Sequence, residues 1–269
     1  ALKKISFGRF FLWFLFFLYI SSMQTFSLEI IWTHLSVLVD AEGSADVLFE
    51  SIKKRLYNFE NKFSRFLEGN WLFDLNTNRR WVLDTDAKNM LVFALDIAEK
   101  TDGYFDPTVG KRLTELWYGN QKLTTQTIQT TEGYGDYRDI EIIGDEVVLH
   151  GNVFLEFGGV GKGYLIDVIR EILDIFPRYL INFGWDMYGK WDWKVGLESP
   201  FASDELIGTF LLADTFLACS AGNKRKWGNH HHLIDPKTGT SASEIVATFI
   251  EGSSEILTDS YATALSVMP

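Results

Sequence analysis

Four stretches of this chain combine residue types able to do chemistry. The first is Glu156-Phe157-Gly158-Gly159-Val160-Gly161-Lys162-Gly163-Tyr164, with Asp167 just after it. Glycines at a strand-to-helix turn let backbone N–H groups approach an anion, a helix start favours negative charge, and Lys162 adds a cation. This reads as a phosphate-contacting loop or as a tight structural turn. The spacing is neither that of a P-loop, which ends in Gly-Lys-Ser/Thr, nor that of a dinucleotide fingerprint with an acidic ribose partner about 20 residues on.

The second stretch runs Asn229-His230-His231-His232-Leu233-Ile234-Asp235-Pro236 to Gly239. Three consecutive histidines cannot all face one metal from a regular element, so the pattern offers one imidazole for proton transfer near neutral pH. The alternative is a solvated loop. In the third, Thr258 to Leu265, Asp259 and Thr263 are four apart. On a helix their oxygens point the same way and can share a hard cation such as Mg²⁺. The plainer alternative is a helix N-terminal carboxylate with a back-bonding threonine. The fourth, Thr101 to Gly110, carries Tyr104, Phe105 and Asp106, which suit a planar heterocycle or a capped turn.

Elements must position these groups. Apolar Val47, Leu48, Ile52, Leu56, Phe59 and Phe63 recur at three- and four-residue steps, predicting a helix within 45–66. A second helix follows Asp86, its expected N-cap, with Met90, Leu91, Ala94, Leu95 and Ala98 on one face. Alternation of Ile140, Ile142, Val147 and Leu149 about Gly144-Asp145 predicts a hairpin. Phe154 to Gly163 reads as strand into glycine turn, then helix from Tyr164. Short strands are expected at 179–183, 193–197, 207–217 and 245–250, before a last helix from Asp259. Helices early and strands late predict an α+β fold rather than an alternating parallel sheet.

Composition narrows the function classes. With 46% hydrophobic and 15% aromatic residues the 269-residue chain is no disordered tail. Its net charge of -11, without a Lys/Arg stripe, argues against duplex nucleic acid as a partner. The single Cys219 excludes an internal disulfide framework and a cysteine-ligated zinc site. Phe10 to Ile20 is unbroken apolar sequence behind Lys3, Lys4 and Arg9. That run is short of the roughly 20 residues of an unaided bilayer span. Residues 1–22 are therefore expected to be a signal peptide or membrane anchor, giving an extracytoplasmic, membrane-associated protein. A buried first strand in a cytoplasmic protein is the alternative.

Taken in order, these pieces resemble the ApbE family of FAD:protein FMN transferases from about Met23 onward. The resemblance is carried by Met23-Gln24-Thr25, Phe63 to Phe66 with Leu75-Asn76, Thr101 to Gly110 with Leu116-Trp117, and Glu156 to Asp167. It continues through Asn182 to Asp186, Trp193 to Gly196, Ser220 with Arg225-Lys226-Trp227, His231 to Gly239, and Asp259 to Thr263. It implies an ApbE-like α+β fold, with mixed and antiparallel sheets and flanking helices in two intimate subdomains over residues 23–269. It also implies Mg²⁺-dependent transfer of FMN from FAD to a Thr or Ser hydroxyl of an exported acceptor flavoprotein subunit, releasing AMP. Asp259, Thr263 and a backbone oxygen at Gly159 would be the metal ligands, and His232 the general base. Met23, Phe66, Tyr104, Phe105, Asp106, Glu156 and Lys162 would contact FAD. A non-catalytic FAD carrier and an FAD pyrophosphatase giving FMN and AMP are the alternatives.

Several residues depart from the family pattern. Gln24 stands in place of a glycine, Phe66 in place of Tyr, Glu156 in place of Asp, and Trp185 in place of the second glycine of Gly-Gly-Asp. Gln24 and Trp185 add side chains where backbone is expected to come close, and Trp185 is expected to be strained if its φ is positive. Relatives usually continue beyond Met268-Pro269 into a closing strand, so a truncated C-terminus is expected.

Overall fold

The structure, a computed structural model, describes residues 23–31, 33–116, 134–202 and 205–269. The expected signal or anchor segment, and Trp117, lie outside them. The chain runs β1 (Met23–Ile30), β2 (Thr33–Asp40), α1 (Asp46–Phe63), α2 (Trp71–Asn78), β3 (Arg80–Val82), α3 (Thr85–Lys100) and α4 (Gly110–Glu115). It continues with β4 (Ile140–Ile143), β5 (Glu146–Leu149), α5 (Gly158–Leu173), β6 (Tyr179–Phe183), β7 (Asp186–Glu198) and β8 (Leu206–Ala221). Four short strands follow, β9 (Lys226–Trp227), β10 (His230–His231), β11 (Ile234–Asp235) and β12 (Thr240–Ser241), then β13 (Ala247–Gly252) and α6 (Glu255–Val267). This is the expected α+β arrangement. One six-stranded antiparallel sheet has the order β1-β2-β6-β7-β8-β13, and a three-stranded sheet has the order β3-β5-β4.

Both faces of the large sheet are covered, which is why β6 reads Tyr-Leu-Ile-Asn-Phe as a nearly continuous apolar run. Tyr179, Ile181 and Phe183 face a core shared with Val37, Val39, Ile52, Leu56, Leu91 and Ile169, on the side of the helices. Leu180, one residue out of phase, joins a second cluster with Met187, Trp193, Val195, Leu212 and Leu217. A bulge between Gly189 and Asp192, marked by positive φ at Trp191 and Asp214, lets the outer half of the β7–β8 ribbon turn back over that second face.

Several predicted boundaries move for physical reasons. In α1 the buried stripe takes Phe49, whose ring stacks 5.1 Å from that of Phe26, while Val47 is 87% exposed. The cap of α3 is Asp84, whose side chain accepts from the Ala87 N–H at 3.0 Å; Asp86 sits in the first turn. No strand leads into the glycine stretch, which is itself the first turns of α5. Its glycines serve close packing: a β-carbon on Gly163 would stand 2.6 Å from Ile256 Cα, and one on Gly161 3.2 Å from the Phe59 ring. Helix α6 begins at Glu255, so Asp259 and Thr263 lie inside it and Asp259 is no N-terminal carboxylate.

Helix α2, absent from the periodicity reading, is capped by Asn70, whose side chain accepts from Phe73 N–H at 2.8 Å. It presents the buried Asn76 to the backbone of Leu155, donating at 3.0 Å to its carbonyl and accepting at 2.7 Å from its N–H. That pair fixes the segment entering Glu156 and α5. Asn76→Ala strands both backbone groups out of water and is expected to cost about 2–3 kcal/mol in urea unfolding. A loss under about 0.5 kcal/mol would show that Leu155 finds other partners.

Candidate functional site

A cleft of about 1400 Å³, open to solvent, lies where the start of α5, the middle of α6, the β6–β7 turn and the loops after α3 and β10 meet. It is lined by the predicted Phe66, Tyr104, Phe105, Asp106 and Glu156, and by Gly159, Lys162, His232, Asp259 and Thr263. Met23 is the exception. It opens β1 and packs against the cluster of Leu180, Met187 and Trp193, so the cleft lining does not include it.

At the centre Lys162 Nζ bonds both Asp186, on β7, and Asp259 Oδ1, at 3.2 Å on α6. Both carboxylates are buried, at 0% and 1% exposure, so this ammonium is what makes their ionised forms tolerable. Asp186 Oδ1 also accepts from Cys219 N–H at 3.1 Å, and Asp259 Oδ2 from Gly163 N–H at 3.2 Å. Burial pushes the Asp259 carboxyl above its ordinary value, with Lys162 opposing the shift. Glu255, fully buried one turn earlier on α6, is held well above the usual carboxylate range by burial and then by the charge of Asp259. Burial pushes the Asp167 carboxyl, on α5, above its ordinary value.

Gly159, Asp259 and Thr263 border the same cleft. Gly163 N–H, which a regular helix aims at the Gly159 carbonyl, is shared with Asp259. Thr263 Cγ2 lies 3.6 Å from where a β-carbon would stand on Gly159. A carboxylate, a hydroxyl and a backbone carbonyl bordering one cleft are the kind of oxygen ligands Mg²⁺ takes. Among the described residues no group of three His, Cys, Asp or Glu could hold a metal by itself. A cation here would therefore draw its remaining ligands from phosphate and water, which is the habit of Mg²⁺.

The three histidines separate cleanly. His230 is exposed. His231 braces the loops: its Nε2 lies 2.6 Å from the Ala242 carbonyl and its Nδ1 accepts from Leu233 N–H at 3.3 Å. His232 lines the cleft, and burial pushes its imidazole well below the ordinary histidine range, with Arg225 and Lys162 adding to the effect. It is neutral at pH 7 and able to accept a proton.

The model of the ApbE family matches residues 25–269. The chain belongs to the ApbE family. A FAD:protein FMN transferase of Klebsiella pneumoniae (strain 342) is 30% identical over 95 residues, covering 32% of this chain and 29% of that protein. One of Escherichia coli (strain K12) is 21% identical over 258 residues, 86% of this chain and 73% of that protein. The ApbE protein of Thermotoga maritima superposes with a TM-score of 0.82 at 24% identity, over 92% of this chain and 87% of that one. The flavinyl transferase ApbE of Pseudomonas stutzeri gives 0.77 at 17% identity, over 91% and 84%.

Two departures from the ApbE pattern resolve differently. Gln24 turns away from the cleft and bonds the β2–α1 loop, donating to the Gly43 carbonyl and accepting from Ala45 N–H at 2.8 Å. Trp185 lines the cleft with φ 90°, a conformation costing on the order of 1–3 kcal/mol for such a residue. Sequence reading gave no role to Asp186 or Glu255. Asp186 was visible only as the acidic end of the Asn182 to Asp186 piece, and Glu255 carried no local signal.

Asp106 is 8% exposed and accepts from Thr108 N–H at 2.8 Å and Tyr137 N–H at 3.2 Å. Burial nevertheless pushes its carboxyl up from 3.8 to about 6. The folded state therefore binds this proton more tightly than the unfolded state. The resulting stabilisation is complete below about pH 4 and lost as pH rises through 6, a change of about 3 kcal/mol. Urea unfolding of wild type and Asp106→Asn at pH 4 and pH 7 measures it: the wild-type advantage should shrink by that amount. A gap independent of pH would show that Asp106 titrates normally.

Proposed function

We propose that this chain transfers FMN from FAD to a threonine or serine hydroxyl of an acceptor flavoprotein, with Mg²⁺, releasing AMP. One observation carries the reading. The start of α5, Lys162, the oxygens of Gly159, Asp259 and Thr263, and the neutral His232 border one aromatic-walled cleft. FAD:protein FMN transferases align along most of the chain.

In this reading the FAD diphosphate lies against the α5 N-terminus, where backbone N–H groups and Lys162 face its negative charge. The acceptor hydroxyl oxygen attacks the FMN-side phosphorus, forming the new ester. The bond from that phosphorus to the bridging oxygen breaks, and AMP leaves with the oxygen and the electron pair. His232 takes the hydroxyl proton. When bound, Mg²⁺ supplies charge neutralisation on the diphosphate. Asp259, Thr263 and the Gly159 carbonyl are its protein ligands in this reading. The basic and apolar run at residues 1–20 supports an extracytoplasmic, membrane-associated setting. Among the described residues no helix is long and apolar enough to cross a membrane.

Incubation of the protein with FAD, Mg²⁺ and an acceptor domain tests this directly. A fluorescent covalent flavin band on the acceptor is expected; free FMN with AMP, or unchanged bound FAD, would replace transfer by hydrolysis or carriage. Asp259→Ala should abolish the Mg²⁺-dependent turnover, and full activity in that variant would refute the ligand assignment. His232→Ala should retain FAD binding while slowing turnover by about 10²- to 10⁴-fold. Parallel loss of binding and rate would mark His232 as structural instead.

A further inference from the structure

Strands β6 and β7 are joined by Gly184-Trp185 with φ of 62° and 90°, the values of a type I′ turn. The first position admits only glycine, since a β-carbon there would stand 2.2 Å from Thr33 Oγ1. The second position favours glycine or asparagine, and a bulky L side chain rarely adopts it. Asn182 Oδ1 accepts from Trp185 N–H at 3.4 Å and helps to hold this backbone. The turn's backbone by itself favours a small residue at this position. Trp185 nevertheless lines the cleft, and the next residue, Asp186, bonds Lys162.

The indole is also braced. Lys224 Nζ lies 4.5 Å from its ring centroid and is itself ion-paired with Glu198. The same construction recurs on the cleft wall. Lys237 Nζ lies 3.9 Å from the Tyr104 centroid and is held by Asp102 at 2.9 Å, and Arg65 Cζ lies 4.2 Å from the Phe66 centroid. Rings fixed in this way are rigid platforms that lose little entropy when another ring stacks on them. The dinucleotide of the proposed function has a planar ring system on each side of its diphosphate. The cleft lining supplies aromatic residues next to the elements of the Lys162 centre: Phe105, 2.9 Å from the β-carbon position of Gly159, and Trp185, beside Asp186.

We propose that Trp185 is a ligand-stacking residue, taking one planar heteroaromatic ring of the bound dinucleotide against its cleft side. It supplies a platform that glycine at this turn would lack, and the strained backbone is retained for that contact. The inference rests on the FAD reading above.

Equilibrium binding of FAD, FMN and AMP to the full chain tests it in wild type, Trp185→Gly and Trp185→Phe. Glycine suits the turn, so Trp185→Gly should melt no lower than wild type. Its FAD dissociation constant should rise about tenfold or more, as loss of one stacking partner does, with Trp185→Phe close to wild type. The loss should follow FMN if the isoalloxazine is the stacked ring, with flavin emission quenched by wild type and restored in Trp185→Gly; it should follow AMP if the ring is adenine. Undiminished FAD binding by Trp185→Gly would overturn the inference and leave the transferase reading standing. Failure of the wild type to bind FAD at all would overturn both.

Discussion

The ammonium of Lys162, set between the buried carboxylates of Asp186 and Asp259, is the interaction on which the rest of the site depends. It ties together α5, β7 and α6, three elements far apart in sequence. Two buried carboxylates without a cation would not remain ionised, because the desolvation cost of each far exceeds what nearby dipoles return. With one ammonium for two carboxylates the centre keeps an excess of negative charge. Glu255, one turn away, holds its proton more tightly, first because it is fully buried and then because of the charge of Asp259.

Getting a lysine between those carboxylates demands that α5 and α6 approach very closely. The glycines that read as a phosphate loop accomplish this as well. Gly163 lets the Glu255–Ile256 backbone come against α5, and its N–H then reaches Asp259. Gly159 leaves room for the Phe105 ring and for Thr263. One short sequence therefore serves both the packing of α5 on α6 and the placing of Lys162.

The departures from the family pattern show how the same kind of substitution is absorbed or exploited according to place. Gln24 adds a side chain at the start of an edge strand, where the β2–α1 loop offers two carbonyls and an N–H for it to bond. It becomes a structural tie. Trp185 adds a side chain at a turn whose backbone is already fixed by the register of β6 and β7, so the ring has to project where the turn directs it, into the cleft wall.

The sequence by itself determined the elements whose signals are local. The period of apolar residues marked α1 and α3, alternation about Gly144-Asp145 marked the β4–β5 hairpin, and the order of motifs marked the family. Ten of the eleven residues singled out from residue type, spacing and the family resemblance line the cleft. Local signals misled where two candidates compete a residue or two apart, as with Asp84 and Asp86 at α3, or where glycines serve helix contacts rather than a loop. Only tertiary structure decided that Met23 packs elsewhere and that Asp186 joins Lys162, and it alone gave the burial of His232, which the resemblance had singled out. Those outcomes depend on distances between segments roughly 20 to 170 residues apart, set by how the sheet's two faces are packed, and chain-local spacing does not encode them.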